Sequence, residues 1–377
     1  MSVVNTKRSN FEPRIKVIGL GGSGCNTITR LNQLDIPGIE LIAINTNRQD
    51  LIKSCVNETL LIGEELTQGF GAGGDVAVGL KAAELSYKDL INYIDNTDIL
   101  FLTAGMGGGT GSGAIQIAAR IARSLNILTI AIVTLPFSFE SGLRSQTAAE
   151  STACLRPFID TLITIPNDHL LTICSQDTTL TKALAQADDL LINTIMGIKN
   201  LLTANGLINI DFSHISRLMK IQGGSMISSG KASGVNRVDD SLRNALENPL
   251  IKEIPLSEAK GLIVQFSGNI TLDEIEKGSQ FLREHGHSDA EIIPVVNHTF
   301  KDDDELEVLI LATGIETLSL DLPLINNTRV FDDLATTKQN KYAETIIKET
   351  IVADERNDLD ELYVPAFIRK GYNLINQ

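Results

Sequence analysis

Residues 103–113 read Thr-Ala-Gly-Met-Gly-Gly-Gly-Thr-Gly-Ser-Gly, and few folds have a use for such a segment. Six glycines with Thr and Ser hydroxyls among them offer almost no side chain to pack. They belong where the backbone must come close to something and present several N–H donors to an anion. The segment follows an apolar run at 99–103 and opens a helical pattern over 112–125, which makes it a strand-to-helix loop. It contains no Lys, so the phosphate loop GxxxxGK[ST] is absent.

A second loop, Gly19-Leu20-Gly21-Gly22-Ser23-Gly24, satisfies GxGxxG between an apolar run at 15–20 and a helical segment at 26–34. Dinucleotide and mononucleotide binders both use that pattern at a helix N-terminus. A dinucleotide site also wants an Asp or Glu at the end of the second strand, to hold a ribose hydroxyl. Here that place reads Asn45-Thr46-Asn47.

Further strands are expected at 41–45, 128–134 and 161–165, with helices at about 77–94 and 143–157. Strand and helix alternating at this spacing predict an α/β fold. Its core is a Rossmann-like parallel sheet with helices on both faces, and ligands sit at the carboxyl ends of the strands. Residues 180–203 form one helical pattern, with Leu184, Ala187, Leu191, Ile195, Ile198 and Leu202 on a stripe and Gly197 its single glycine. At ~1.5 Å per residue such a helix is about 36 Å long. Beyond it a Gly/Ser-rich stretch (223–234), strands at 261–266, 291–297 and 306–313 and a helix near 271–285 suggest a smaller α/β domain. The expected layout is an N-terminal extension (1–12), a nucleotide-binding domain (13–179), a central helix (180–205), a second domain (206–318), a linker (319–359) and a tail (360–377). The tail carries an apolar island, Leu362-Tyr363-Val364-Pro365-Ala366-Phe367-Ile368, between acids and bases, as recognition peptides do.

Composition narrows the function. Thirty-two Lys and Arg against 47 Asp and Glu leave a net charge of −15, which disfavours a nucleic-acid partner. No apolar run reaches the ~18 residues of a bilayer span, and residues 1–12 have no signal-like apolar segment. A cytoplasmic protein without membrane insertion is expected. The four cysteines, Cys25, Cys55, Cys154 and Cys174, form no CxxC pair, so neither a disulfide framework nor a structural metal is expected.

Gly107–Gly113 (GGGTGSG) resembles the signature loop of the tubulin/FtsZ superfamily, and residues 19–26 resemble the first phosphate loop of its FtsZ branch. Residues 44–47 (INTN), 69–73 (GFGAG), 133–140 (VTLPFSFE), 163–168 (ITIPND) and 209–212 (NIDF) continue the resemblance, collinear from about 15 to 314. The peptide 364–369 (VPAFIR) is similar to that branch's C-terminal adaptor-binding peptide. The resemblance implies a GTPase of the division ring at midcell, binding GTP or GDP with Mg2+. It would polymerise head to tail with copies of itself and reach a membrane-anchoring adaptor through residues 360–370.

Residue by residue, the resemblance implies that Gly22, Ser23, Gly24, Cys25 and Asn26 line one side of the nucleotide and that Gly109, Thr110 and Gly111 hold its phosphates. Ala72 and Gly73 would sense the γ-phosphate, Glu140 would take the ribose with Arg144 beside it, and Asp188 would accept from the guanine N1–H and N2–H. Locally, Glu140 and Arg144 also read as a surface i, i+4 pair. Asp211 follows the long helix and so lies about a helix length from its own nucleotide. It would act on a neighbour's GTP, with Asn209 and His214 completing the catalytic set; a helix N-cap is its plain local alternative.

Three departures stand out. His214 occupies the place of a second carboxylate, Leu184 that of a base-stacking Phe, and Asn47 that of an Asp near the sugar. The first leaves room for a paralogue of low turnover that co-assembles as a structural partner. A NAD- or FAD-dependent oxidoreductase would account for the first glycine loop alone.

Overall fold

In a computed structural model of the chain, residues 13–173, 178–203, 212–221, 224–247, 256–297 and 304–315 are described. The expected N-terminal extension, linker and tail peptide lie outside them, as do Asn209, Asp211 and Cys174.

The described residues form ten strands and twelve α-helices. The first half runs β1 (Ile15–Leu20), α1 (Gly21–Gln33), β2 (Ile39–Asn45), α2 (Arg48–Lys53), β3 (Glu58–Leu61), α3 (Glu64–Thr67), α4 (Val76–Leu85), α5 (Tyr87–Ile94), β4 (Ile99–Gly105), α6 (Gly109–Ser124), β5 (Leu128–Leu135), α7 (Gly142–Leu155), β6 (Thr161–Pro166) and α8 (Asp168–Ile173). The second runs α9 (Leu180–Thr203), α10 (Phe212–Met219), β7 (Gly224–Ser233), α11 (Arg237–Leu246), β8 (Gly261–Ser267), α12 (Leu272–His285), β9 (Glu291–Asn297) and β10 (Glu305–Ile315).

The first six strands make one parallel sheet in the order β3-β2-β1-β4-β5-β6. Strands buried on both faces explain the unbroken apolar runs. Ile18, Leu20, Leu100, Leu102, Ala131 and Val133 face one core with α4 to α7. Val17, Phe101, Ile130 and Ile132 face another with Cys25, Ile28 and Leu31 of α1 and Ile195 and Ile198 of α9. That second core continues into Ile227, Ile263, Val295 and Leu311 of the other sheet, so α9 packs between the two sheets. At Gly197 the helix lies close on the second sheet: a Cβ there would stand 3.0 Å from both methyls of Leu309.

The second sheet has the order β7-β10-β8-β9, with β8 and β9 parallel and β10 antiparallel to β7 and β8. Its edge strand β7 packs against β6, which leaves β3 and β9 as the outer edges. The Gly/Ser-rich stretch read from sequence only as a change of texture is strand β7. A Cβ on Gly230 would fall 2.2 Å from the Ser241 carbonyl oxygen, so glycine lets α11 lie directly on the strand.

The expected single helix at 77–94 is two, α4 and α5. Ser86 leaves helical geometry between them and its hydroxyl accepts from the Gly63 N–H at 3.0 Å. Leu184, placed on the buried stripe of α9, is 42% exposed; Leu191, Ile195 and Ile198 are buried.

A partly buried ion pair ties α11 to α12. Arg237 Nε donates to Glu274 Oε1 at 2.7 Å and Nη2 to Oε2 at 3.1 Å, while Glu274 closes a capping box with Thr271. The guanidinium, followed by the Thr271 N–H and hydroxyl, outweighs burial and holds the Glu274 carboxyl at about 2, below its ordinary 4.5. A depressed carboxylate stabilises the fold fully above its unfolded value and less as pH falls toward the folded one. Glu274→Gln is therefore expected to cost ~1–2 kcal/mol at pH 7, after allowance for partial exposure, and to flatten the loss of stability between pH 4.5 and 2. Urea unfolding at pH 7 and pH 3 measures both; parallel losses in parent and variant would remove the pair's role.

Candidate functional site

Strand order reverses direction between β1 and β4, and the two glycine loops follow those two strands. They therefore meet at the switch point of the sheet, on the carboxyl side. Each loop runs directly into a helix, α1 or α6. Neither helix has a side-chain N-cap, and neither has an acid in its first turn. Two helix N-termini without a side-chain cap thus converge, and their first N–H groups are the kind that bind an anion.

The glycines sort into two kinds. Some hold the loops together: a Cβ on Gly24 would lie 2.6 Å from the Thr103 carbonyl oxygen, one on Gly21 2.8 Å from the Gly111 nitrogen, and one on Gly111 2.8 Å from the Gly105 oxygen. A Cβ on Gly109 would meet the Asp75 oxygen at 2.7 Å and its nitrogen at 2.8 Å, which clamps the 72–75 loop onto α6. Others have no internal reason. At Gly108 a Cβ would have nothing within 4 Å, and at Gly22 only Asp50 Oδ2 at 3.7 Å; neither has a positive φ. Gly108 is the N-cap of α6, a position that itself favours glycine over alanine, whereas Gly22 lies within α1, where glycine costs up to about 1 kcal/mol against alanine; open space beside its backbone is what the sequence keeps there. Gly73 and Gly74 border the same loop with φ of +62° and +84°. The cradle fits a polyphosphate held by backbone N–H groups.

The expected site residues fall as follows. Gly22, Ser23 and Asn26 are exposed on the first turns of α1, and Gly24 is buried. Cys25 differs: its thiol is 1% exposed, lies 3.7 Å from the Ile44 carbonyl oxygen, and is pushed by burial up to about 12. It belongs to the core, and only its backbone can face a ligand. Thr110 is buried and shares a 2.6 Å hydrogen bond with the Thr46 hydroxyl. Ala72 is buried and its carbonyl accepts from the Asp75 N–H at 3.0 Å.

Glu140 and Arg144 form the i, i+4 pair of the local reading, and Glu140 Oε1 also accepts from the Phe137 N–H at 3.0 Å. The pair nevertheless borders the cradle, since a Cβ on Gly107 would stand 2.7 Å from the Arg144 carbonyl oxygen. Asp188, on the third turn of α9, accepts from the Thr27 hydroxyl at 3.0 Å and faces Arg30 at 3.5 Å. Burial raises its pKa; the Thr27 and Arg30 contacts oppose that. His214 is exposed on α10, one turn before Arg217, which pairs with Glu291. The Met219 carbonyl at the end of α10 accepts from the Thr161 hydroxyl at 2.9 Å. Thr161 starts β6, so α10 is fixed to the amino end of the sheet, opposite the glycine loops.

Asn45 and Asn47 serve the loop itself. Asn45 Oδ1 accepts from the N–H groups of Thr46 and Asn47, and Asn47 caps α2 through the Gln49 N–H at 2.9 Å. Asn167 lies in the 163–168 motif, and the resemblance implies no role for it. It is 8% exposed, and its Oδ1 is buried without a partner, an orphaned acceptor just past the carboxyl end of β6. Its isolation shows only in three dimensions. Among the described residues no group of three or more His, Cys, Asp or Glu could hold a metal ion.

Residues 14–175 match the family described as "Tubulin/FtsZ family, GTPase domain" and residues 223–316 that described as "FtsZ family, C-terminal domain". The chain is 37% identical over 376 residues to the "Cell division protein FtsZ" of Buchnera aphidicola, covering 95% of this chain and 97% of that one. It is 35% identical to the protein of the same name from Coxiella burnetii, at 95% and 96% coverage. Among solved structures, the "FtsZ dimer, empty" of M. jannaschii superposes with a TM-score of 0.74 at 35% identity, over 81% of this chain and 89% of that one. CetZ1 of Haloferax volcanii, GDP-bound, has a TM-score of 0.70 at 20% identity over 82% and 96%, a likeness of fold.

Proposed function

The chain belongs to the FtsZ family of tubulin-like GTPases, and from that premise we propose that it is a cytoplasmic cell-division GTPase that assembles head to tail into filaments at midcell. The observation that supports this most is the pair of uncapped helix N-termini meeting at the switch point, beside glycines that guard empty space. Gly22 to Asn26 and Gly109 to Gly111 would bind the phosphates through backbone N–H groups. Glu140 would take the ribose, and Asp188 the guanine edge. Mg2+ would accompany the phosphates and neutralise part of their charge, its other ligands being water. The oxidoreductase reading lacks its acid: Asn45 and Asn47 are spent on the loop and the α2 cap.

Hydrolysis would need a second subunit. Asp211 directly precedes α10, and α10 is bound to the amino end of the sheet, far from the subunit's own cradle. A heterologous head-to-tail contact would carry Asp211, Asn209 and His214 to the next subunit's γ-phosphate, where Asp211 orients the attacking water. Light scattering and phosphate release followed in one tube after GTP addition test this: both should rise together above a threshold protein concentration. Hydrolysis independent of protein concentration would refute it. A slow-turnover partner is the second reading, favoured by His214 exposed where a fixed negative charge is usual; filaments without phosphate release would select it.

The tail should work separately. Deleting residues 360–377 is expected to leave GTP turnover and filament mass within about twofold and to abolish recruitment to adaptor-bearing vesicles, with Phe367 and Ile368 as anchors. Co-sedimentation reads both effects, and loss of filaments in solution would place the peptide in the assembling body.

A further inference from the structure

The helix that carries the first phosphate loop also grips the base-reading carboxylate. Thr27 and Arg30 lie one turn apart on α1 and so share a face. Thr27 is fully buried, with its hydroxyl 3.0 Å from Asp188 Oδ1. Arg30 Nη1 lies 3.5 Å from Asp188 Oδ2 and also bonds the Ala185 carbonyl, while Nη2 holds Asp189 Oδ1 at 2.5 Å. Those last two contacts, one to the α9 backbone and one to a side chain of α9, fix the guanidinium to that helix before Asp188 is considered.

The stoichiometry is informative. A carboxylate has about two acceptor sites on each oxygen. Thr27 uses one on Oδ1 and Arg30 one on Oδ2, which leaves one on each. Two free acceptors side by side match two adjacent N–H donors. We infer that Thr27 and Arg30 are positioning residues for base selection: from one face of α1 they fix the orientation and the charge of Asp188, so that guanine, with two donors on one edge, is preferred over bases with one or none. This rests on the assignment of Asp188 to the guanine edge.

Charge matters because a protonated carboxyl turns one of those acceptors into a donor, facing an N–H. Burial and the neighbouring Asp189 favour that protonated form, and only Thr27 and Arg30 oppose it. Binding the phosphates and reading the base thus depend on one rigid element.

The test is equilibrium titration of the nucleotide-free full chain with GTP and with ITP, which keeps N1–H but lacks the 2-amino group. The parent should prefer GTP. Thr27→Val, which keeps the shape and drops the hydroxyl, and Arg30→Gln should each narrow the GTP/ITP ratio about tenfold, mainly by weakening GTP, and Thr27→Ser should restore it. Arg30→Gln should also move the acid limit of GTP binding to higher pH, while Arg30→Lys, still charged, should not. If GTP and ITP weaken equally in both variants, or the ratio is unchanged, Thr27 and Arg30 only support the helix and the proposal fails. A parent that binds GTP, ITP and ATP alike would instead refute the assignment of Asp188, and this proposal with it.

Discussion

Gly109→Val is expected to abolish nucleotide binding, and with it assembly and turnover. A β-branched side chain at this position has nowhere to go, because the first added carbon already stands 2.7 Å from the Asp75 carbonyl oxygen and 2.9 Å from the Gly74 carbonyl carbon. Either the 72–75 loop moves off α6 or the start of α6 unwinds, and in both cases the N–H donors lose their common focus. Overpacking of this kind costs ~1–3 kcal/mol, and the displaced donors add to it, so affinity should fall at least about a hundredfold. Nucleotide content after purification and titration with GTP read the effect. A variant that retains GDP at the parent's stoichiometry would show that the cradle lies elsewhere.

Asp211→Ala should separate binding from chemistry. GTP should bind as in the parent while phosphate release falls by about two to three orders of magnitude, the usual result of removing one group that orients the reacting centre. Mixed with Gly109→Val, which cannot bind but keeps Asp211, some turnover should return: the first variant supplies the nucleotide and the second the carboxylate, provided the subunits associate. Unimpaired hydrolysis by Asp211→Ala at every protein concentration would leave Asp211 as a helix cap. His214→Asp, on the exposed face of α10, should raise turnover if a second fixed negative charge is what this chain lacks, and phosphate release measures that directly.

The parallel sheet and the two loops were legible because their signals are local. Buried parallel strands write themselves as continuous apolar runs, and a helix entered through glycines has a fixed spacing. The direction of the Cys25 side chain was not legible because a loop motif gives the order of residues and not where their side chains point; its thiol turns inward to Ile44 while Ser23 and Asn26 are exposed. β7 showed in the sequence only as a Gly/Ser-rich stretch because Gly230 and Ser228 serve the approach of α11, a contact absent from the strand's own sequence. The split at Ser86 was hidden for a similar reason, since its partner, Gly63, stands well before it in the chain. Asn167, Thr27 and Arg30 matter through partners distant in sequence, or through lacking one, and no window of residues contains that.

The outer edges of the two sheets bear on how such a molecule avoids self-destruction. A filament former is held at high local concentration beside identical copies, the setting in which unpaired strand edges recruit one another into irreversible aggregates. Among the described strands, the edges β6 and β7 lie against each other. Of the rest, β3 has only four residues, and β9 carries Pro294 at its centre, opposite Val264, where no N–H can be offered to an incoming strand. Edges of this kind give little template for side-by-side pairing between copies of the chain.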